Sequence, residues 1–307
     1  MQGGTLTEWN ELEVIAGVQR YLVEQGELSI IGDDAAEVST QSGRVVLCAD
    51  AIADGIHFQL SVWPPELIGR KVVAVNLSDL AAMGARPRWL LATLAAPADA
   101  PAREIALGIA KACASFGVSL VGGDTIRAAT TVISATAIGE PLGSATIPRG
   151  GARPGDAIFL TGPLGGSALG LSKLDAGEPV DLKDPAINRH LMPSPRLAES
   201  RALVACGATS AIDVSDGLSI DLHRLADMSA TGFALTLVPV FPGATEMAAL
   251  SGGEDFELAF THPDAGAVQV AFAEAGCAPP IQIGTIVPDS AGRTLRGVPL
   301  DRTGYIH

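Results

Sequence analysis

The chain has 307 residues, of which 48% are hydrophobic and 18% are charged, and its formal net charge is −14. This length suits one large or two medium domains, and the composition is that of a compact globular protein and excludes a disordered chain. The acidic balance argues against sequence-independent binding of nucleic acid, which requires a basic surface. An anionic substrate would also be repelled at long range unless metal ions inverted the local field.

The first half of the chain alternates short strands with helices. The segment 105–116 places apolar residues three or four positions apart and stops at Gly117, as an amphipathic helix does. The segment 131–138 alternates β-branched and small residues, as a strand does. In chain order we expect a helix over Glu8–Gln25, strands over 28–31 and 44–48, a helix over 65–83, a strand over 89–95, the helix over 105–116, and strands over 118–121 and 131–138.

A boundary is expected at residues 141–155, where proline and glycine are dense enough to mark a linker. We therefore expect an N-terminal domain at 1–145 and a C-terminal domain at 146–307. In the second domain we expect strands at 157–160, 233–238, 256–260 and 281–287 and helices after 161–167, near 194–206 and at 217–229. Several strands lie close together in sequence, which favours two mixed α/β (α+β) units over one doubly wound sheet.

Four cysteines, at positions 48, 113, 206 and 277, form no Cys-x-x-Cys pair, so neither a zinc site nor a disulfide framework is indicated. The first residues lack the basic and apolar segments of a secretory signal, and no apolar run is long enough to span a bilayer. We therefore expect a cytoplasmic protein with no membrane contact.

Acidic residues in glycine-containing strings are the main functional signal. They occur as Gly32-Asp33-Asp34, Gly122-Gly123-Asp124, Asp213-Val214-Ser215-Asp216-Gly217 and Gly252-Gly253-Glu254-Asp255, and Asp50 and Asp79 end or interrupt apolar stretches. Carboxylates held close together repel one another, and the chain has only four lysines to neutralise them. Mg2+ prefers carboxylate and water oxygens and commonly shares them with a substrate phosphate.

Each of these strings also has a purely structural explanation. Glycine and aspartate are ordinary turn residues, and Ser215 or Asp216 could simply cap the following helix. Asp79 opposes the dipole at the end of its helix, which a salt bridge to Arg86 or Arg88 could offset as well as a cation. Asp213 fits a structural explanation less well. It precedes Ser215 and Asp216 and lies in the strand before them, where burial is expected.

Two basic residues, His57 and Arg149, suit contact with an anionic ligand. The alternatives are a partly buried histidine and an arginine that faces water. The chain contains neither a Gly-x-x-x-x-Gly-Lys-Ser/Thr string nor the protein-kinase motif set. If nucleotide phosphates bind, metal ions and backbone amides must hold them in place of a P-loop lysine.

The ordered strings, taken together, resemble the thiamine-monophosphate kinases, within the aminoimidazole ribonucleotide synthetase superfamily. The resemblance spans nearly the whole chain. It rests on Ile31-Gly32-Asp33-Asp34-Ala35, Gly55-Ile56-His57-Phe58, Val75-Asn76-Leu77-Ser78-Asp79-Leu80-Ala81-Ala82-Met83-Gly84-Ala85, Val121-Gly122-Gly123-Asp124-Thr125, Arg149-Gly150-Gly151-Ala152-Arg153-Pro154-Gly155-Asp156, Ile212-Asp213-Val214-Ser215-Asp216-Gly217-Leu218 and Ser251-Gly252-Gly253-Glu254-Asp255.

The resemblance implies ATP-dependent phosphorylation of thiamine monophosphate to thiamine diphosphate, assisted by several Mg2+ ions. It also implies a homodimer in which the N-terminal domains build a shared β-barrel, while the C-terminal α/β domain completes the active site. Carried over by motif, the metal residues would be Asp34, Asp50, Asp79, Asp124, Asp213 and Asp216. ATP would contact Gly123, Asp124, Arg149 and Ser215, and the thiamine phosphate would contact His57 and Glu254.

The chain departs from the family pattern at two places. Cys48 and Ala49 stand at metal-site positions where the family usually carries hydroxyl residues, and Arg302 stands at a substrate position that is often aromatic. Two alternatives therefore stay open: another ATP-using synthetase of the superfamily, or a catalytically weak protein that binds nucleotide or thiamine phosphate. A selenide-activating enzyme would carry a reactive cysteine in its N-terminal glycine-rich segment, and Cys48 is the first cysteine of this chain.

Overall fold

The computed structural model describes residues 33–41 and 43–305, with positions 16, 19, 20, 23 and 24 before them. The helix expected over Glu8–Gln25 therefore lies mostly outside the described residues, and the strand expected over 28–31 lies entirely outside them. The remaining expectations can be compared with the structure element by element.

The first half of the described chain forms a five-stranded sheet with two helices packed on it. Its strands lie in the order β1-β2-β5-β3-β4, and every neighbouring pair is antiparallel except β3 with β4. The elements are β1 (Ala36–Thr40), β2 (Gly43–Ala53), α1 (Pro65–Ala82), β3 (Ala85–Ala96), α2 (Ala102–Phe116), β4 (Ser119–Arg127) and β5 (Val132–Pro141).

Helix α1 packs between this sheet and α2 and is buried on almost every side, as an apolar helix of this kind should be. A Cβ atom at Gly69 would lie 2.1 Å from the Ile105 carbonyl oxygen, and one at Gly108 would lie 2.2 Å from that of Glu66. Only glycine therefore lets the two helices approach so closely. This packing holds the last turns of α1, which carry Asp79, against the core.

The second half forms a seven-stranded sheet in the order β12-β11-β8-β10-β6-β9-β7. The edge strand β7 and the helix α5 both pack against α1, so the end of β7 meets the last turns of α1. The elements are β6 (Ala157–Leu160), α3 (Gly166–Asp175), α4 (Pro185–Leu191), α5 (Leu197–Cys206), β7 (Ser210–Asp213), α6 (Leu218–Ser229), β8 (Thr231–Leu235), α7 (Glu246–Ser251), β9 (Leu258–His262), α8 (Ala265–Glu274), β10 (Ile281–Pro288), β11 (Arg293–Leu295) and β12 (Val298–Pro299), with a 3-10 turn at Asp289–Ala291.

The strands and helices expected in the described chain are present, and most ends agree to within a few residues, but β2 and β4 run five and six residues beyond the expected 44–48 and 118–121. The strands β1, β11 and β12 were not expected, nor were three helices, α4, α7 and α8. The first two are too short to show a helical period, and α8 is apolar around most of its circumference, which hides the amphipathic pattern. The domain division at residue 145 stays a prediction.

The interpretation of Gly122-Gly123-Asp124 as a turn is wrong, because all three residues lie inside β4. Both glycines have positive φ, +157° and +150°, and remain extended in a region of backbone space that other residues rarely enter. A Cβ atom at Gly123 would lie 1.8 Å from the Ala92 carbonyl oxygen of the neighbouring strand. The paired glycines therefore allow β4 to press closely on β3.

The mixed α/β fold class is confirmed by the two sheets and their helices. The five-stranded sheet does not close into a barrel within the described part of one chain, and its edge strand β4 is exposed along its whole length. A shared barrel would therefore need a second copy of the chain.

The structure also bears on the expectations about cysteines and membranes. All four cysteines are free thiols; Cys48 and Cys113 are buried, and Cys206 and Cys277 are partly exposed. In the part of the chain that the structure describes, none of the helices has the length and apolar character needed to cross a bilayer.

Candidate active site

A cavity of about 830 Å3 lies where the two halves meet. Its wall combines residues of β2 and the last turns of α1 with loops that follow β7 and α7 in the second half. The sequence-predicted residues that line it are Asp34, Ala49, Asp50, His57, Asp79, Arg149, Asp213, Ser215, Asp216, Glu254 and Arg302. Three predicted residues, Cys48, Gly123 and Asp124, are absent from this wall.

Three aspartates, Asp34, Asp79 and Asp213, meet at one end of the cavity, and we call them the aspartate trio. Each offers a carboxylate oxygen, and these oxygens all lie within 4.8 Å of one another. They come from the segment before β1, from the last turns of α1 and from the end of β7. Ser78 Oγ donates a 2.6 Å hydrogen bond to Asp213 Oδ2, so α1 and β7 are also joined beside the trio.

Burial raises the pKa of all three carboxyls of the trio, and repulsion by neighbouring carboxylates raises it further: Asp33 acts on Asp34, Asp213 on Asp79, and Asp34 on Asp213. The Asp34 Oδ2 atom is buried and has no hydrogen-bond partner among the described residues. A buried carboxylate oxygen without a partner is costly, and oxygen donors at this spacing suit a hard divalent cation. The trio therefore fits Mg2+.

Arg149 ties the glycine–aspartate string before β1 to the cavity. Its Nη2 atom lies 2.7 Å from Asp34 Oδ1. Its backbone N–H lies 3.1 Å from both carboxylate oxygens of Asp33, which leaves Asp33 in a structural role. Of the two neighbouring acids, Asp34 is thus the one whose carboxylate lies beside those of Asp79 and Asp213.

Asn76 of α1 positions the part of β2 that carries Asp50. Its side-chain oxygen accepts a 3.0 Å hydrogen bond from the Asp50 backbone N–H, and its carbonyl accepts one of 3.2 Å from the Cys48 thiol. Burial, followed by the charge of Asp79, raises the pKa of Cys48 well above its usual value, so the thiol stays protonated. Ala49 lines the cavity but offers only backbone atoms as ligands.

Asp216 belongs to a separate charged group with Arg224 and Asp221. Arg224 Nη1 contacts the Asp216 carboxylate and lies 2.8 Å from Asp221 Oδ1. Burial, with the nearby charge of Asp216, raises the pKa of Asp221 to about 7. The helix-capping explanation is wrong for both Ser215 and Asp216, because the cap residue is Gly217 and no side chain caps it.

A second charged group, the Lys71 cluster, lies at another part of the cavity and consists of Lys71, Glu254, His57 and His190. Lys71 Nζ lies 2.6 Å from Glu254 Oε1 and donates a 2.8 Å hydrogen bond to the His57 carbonyl oxygen. His190 Nδ1 lies 3.4 Å from Glu254 Oε2 and 2.8 Å from Ser167 Oγ. Burial, followed by the charge of Lys71, lowers the pKa of His190 to about 4.

The C-terminal segment packs across the start of α6 and brings Arg302 and Tyr305 into the cavity wall. The Tyr305 backbone N–H donates a 2.9 Å hydrogen bond to the Asp216 carbonyl, and Ser219 Oγ donates one of 2.6 Å to the Asp301 carbonyl. Arg302 Nη1 lies 2.9 Å from Asp227 Oδ2 on α6, and both side chains are about two-fifths exposed. Arg302 is therefore a surface ion-pair residue at the edge of the cavity.

Gly123 and Asp124 lie on the far edge of the first sheet. The paired residues Asp50, Ala135, Ala92 and Gly123 form one row across four strands. With strands about 4.8 Å apart, Gly123 lies roughly 14 Å from Asp50. Within one chain, the structure does not bring Asp124 together with Asp50.

Sequence reasoning missed Lys71, His190 and Arg224 as members of the site. Lys71 carried a usable signal, because it is one of only four lysines and is followed by Val72 and Val73 in a helix with apolar residues on all sides. His190 carried no such signal, since its partners lie on other elements. Asp221 and Arg224 stand three residues apart in the helix expected at 217–229, and this ion-pair spacing could have pointed to Arg224.

The comparisons with known proteins agree with this geometry. The family model "AIR synthase related protein, N-terminal domain" matches residues 32–140, and the corresponding C-terminal domain model matches residues 153–295. The chain belongs to the AIR synthase related family. The resemblance based on the ordered motifs is thereby confirmed.

Curated relatives of this family member are named thiamine-monophosphate kinase. The one from Escherichia coli O157:H7 is 38% identical over 90% of this chain and 91% of its own length. The one from Bacillus subtilis (strain 168) is 33% identical over 82% of this chain and 83% of its own. Among solved structures, "AaThiL complexed with AMPPCP and TMP" superposes with a TM-score of 0.86 at 29% identity, covering 99% of this chain and all of that one.

Proposed function

We propose that this protein transfers the γ-phosphoryl group of ATP to the phosphate of thiamine monophosphate, releasing thiamine diphosphate and ADP. The observation that carries the proposal is the aspartate trio, which lies at one end of a cavity of about 830 Å3. The solved structure with AMPPCP and TMP, which covers 99% of this chain, supports it. So do the relatives that carry the kinase name over most of the chain.

The trio and Asp50 are proposed to hold Mg2+, and Asp216 is proposed to hold a further ion. When bound, these ions would neutralise the charge of the two phosphates and help to align them. Ala49 would contribute only its backbone carbonyl or a bound water, because its side chain has no donor atom. Cys48, whose thiol is buried and protonated, would contribute through its contacts with Asn76 and Asp79.

The residues around the trio suit a reaction whose main obstacle is repulsion between phosphates. A phosphate acceptor is already ionised at neutral pH, so no general base is required, and the reaction needs positioning and electrostatic stabilisation. Arg149, held on Asp34 at 2.7 Å, would place a fixed positive charge beside the ATP phosphates, next to Ser215. His57 and Glu254 would bind the thiamine phosphate, and Arg302 would contact it at the edge of the cavity.

We further propose a cytoplasmic homodimer in which two first sheets form a shared barrel. The wholly exposed edge strand β4 supports this, because an unpaired strand edge readily pairs with another chain. Gly123 and Asp124 lie on that strand, about three strands away from Asp50. They would therefore reach ATP and a metal ion through the dimer interface, beside the partner's cavity.

One assay tests the function. The purified protein is incubated with ATP, Mg2+ and thiamine monophosphate, and thiamine diphosphate is separated by chromatography and measured by its oxidised, fluorescent form. We expect one thiamine diphosphate for each ADP released. Consumption of ATP only with a different acceptor, such as selenide or formylglycinamidine ribonucleotide, would favour another synthetase of the superfamily.

A second candidate function is that of a catalytically weak protein that binds nucleotide or thiamine phosphate. It is favoured by Ala49, which lacks a hydroxyl in the cavity wall, and by Arg302, which pairs with Asp227 at the surface. Saturable binding of thiamine monophosphate without any product, measured calorimetrically with ATP and Mg2+ present, would support this function and contradict the kinase.

A further inference from the structure

Lys71 is completely buried in the middle of α1, and its ammonium group has specific partners. Its Nζ atom lies 2.6 Å from Glu254 Oε1, 2.8 Å from the His57 carbonyl oxygen and 4.9 Å from the centre of the Trp63 ring. A buried ammonium is costly to remove from water, so it persists only with a close anionic partner. Glu254 supplies that partner from the other half of the chain.

The two hydrogen-bonding partners of Lys71 are the two residues proposed to bind thiamine phosphate. Glu254 has a positive φ of 65°, which is strained for a residue with a side chain, and its backbone N–H donates a 2.7 Å hydrogen bond to the Ser215 carbonyl. The turn is packed tightly as well, since a Cβ atom at Gly253 would lie 2.4 Å from the same carbonyl. The backbone thus directs Glu254 into the cavity, and Lys71 holds its carboxylate.

The charge state of this cluster depends on Lys71. Burial is the largest single influence on Glu254 and would raise its pKa, but the charge of Lys71 and its hydrogen bond, together with His190 and His57, outweigh burial, and the pKa is lowered. His190 has a lowered pKa of about 4 and is neutral near pH 7, so it adds no second full charge. A quarter of the Glu254 side chain is exposed in the cavity wall, which leaves a fixed acceptor oxygen for a ligand.

We infer that Lys71 is a positioning residue for the acceptor substrate: it locks Glu254 and the His57 segment into one binding surface without contacting the transferred phosphoryl group. This inference rests on the proposed function. It assigns Lys71 to recognition of thiamine monophosphate and separates it from the aspartate trio and the ATP phosphates.

The test is steady-state kinetics of Lys71→Met, which keeps the length of the side chain and removes its charge. We expect KM for thiamine monophosphate to rise roughly 10- to 100-fold, as the loss of a charged hydrogen bond would produce, while KM for ATP changes less than about twofold. The matched control is Lys111→Met, which breaks an exposed 2.9 Å ion pair with Glu66 of the same helix α1. Both KM values should stay unchanged in the control.

Because loss of one partner of a buried ion pair can unfold a protein, Lys71→Met is also combined with Glu254→Gln. If Lys71 acts through Glu254, adding Lys71→Met to Glu254→Gln changes KM for thiamine monophosphate by less than about twofold. Additive effects of the two substitutions would show that Lys71 acts on its own and would overturn the inference. An unchanged KM in Lys71→Met alone would overturn it too.

A crystal structure of the unsubstituted protein with thiamine monophosphate decides the matter without any variant. We expect the ligand against Glu254 and His57, with Lys71 Nζ still bonded to Glu254. A ligand bonded directly to Lys71, or one away from Glu254, contradicts the inference. If the unsubstituted protein makes no thiamine diphosphate, the proposed function fails; if it does and KM is unchanged in Lys71→Met, only the role of Lys71 fails.

Discussion

The aspartate trio and the Lys71 cluster are two charged groups at one cavity that differ in charge balance: the trio contains only acids, and the cluster pairs one acid with a lysine. In the trio, burial and the charges of neighbouring carboxylates raise the pKa of each carboxyl, and Arg149, which lies 2.7 Å from Asp34, offsets this in part at Asp34. In the Lys71 cluster, Lys71 together with His190 and His57 lowers the pKa of Glu254 despite burial. The comparison supports the proposal that the trio binds cations from solution, whereas the Lys71 cluster contains its own cation, the Lys71 ammonium.

The largest expected effect is that of Asp79→Asn, which removes one charge from the trio. We expect turnover to fall by roughly 1,000-fold or more, because the phosphates lose a metal-held position in a reaction driven by electrostatic stabilisation. Initial rates of thiamine diphosphate formation measure this. The matched control is Asp99→Asn in the loop after β3, which should keep the unsubstituted rate. An active Asp79→Asn variant would remove Asp79 from the metal site.

The next effect concerns pH and the Lys71 cluster. His190 titrates near 6.5 when unfolded and at about 4 when folded, so the unfolded chain binds the proton more tightly. The stability that neutral His190 confers is therefore present above pH 6.5 and is lost as the pH falls towards 4, by about 3 kcal/mol in total. Urea unfolding at several pH values measures this loss, and His190→Gln should flatten the dependence within that window. A variant with the same slope as the unsubstituted protein would contradict the assigned pKa.

A smaller effect is expected from Mg2+ on the stability of the folded protein. A ligand at 100 times its dissociation constant stabilises the folded state by about 2.7 kcal/mol. Without metal, Asp79→Asn should melt at a higher temperature than the unsubstituted chain, because one repelling charge is gone. With Mg2+ this order should reverse or the gap should close. Thermal melts with EDTA and with Mg2+ test both statements, and equal melting shifts in the two proteins would argue against metal at the trio.

The smallest effect is expected from Arg302→Ala, which belongs to neither group. Its ion pair with Asp227 is about two-fifths exposed, and such pairs contribute about 0–1 kcal/mol. We expect a melting temperature within a few degrees of the unsubstituted protein and a modest rise in KM for thiamine monophosphate. A large loss of kcat would place Arg302 closer to the transferred group than the structure suggests.

The long periodic elements could be predicted from sequence because their signals are local. The segment 105–116 shows its apolar face in its own residues, and Gly117 ends it with a left-handed φ of 70°. A local signal also explains why the turn predicted at 122–124 was wrong. Glycine and aspartate favour turns, yet here the approach of β4 to β3 requires glycine within a strand.

The sequence by itself determined the ordered acidic strings, the scarcity of lysines and the mixed α/β class, because turn chemistry and hydrophobic period are properties of neighbouring residues. Only the tertiary structure decided which acids lie close enough together to repel one another and which acid pairs with a lysine. Asp34, Asp79 and Asp213 meet because α1 packs on both sheets, and Glu254 meets Lys71 because the loop before β9 reaches the same helix. Coulomb interactions depend on distance in space, which the order of residues along the chain does not contain.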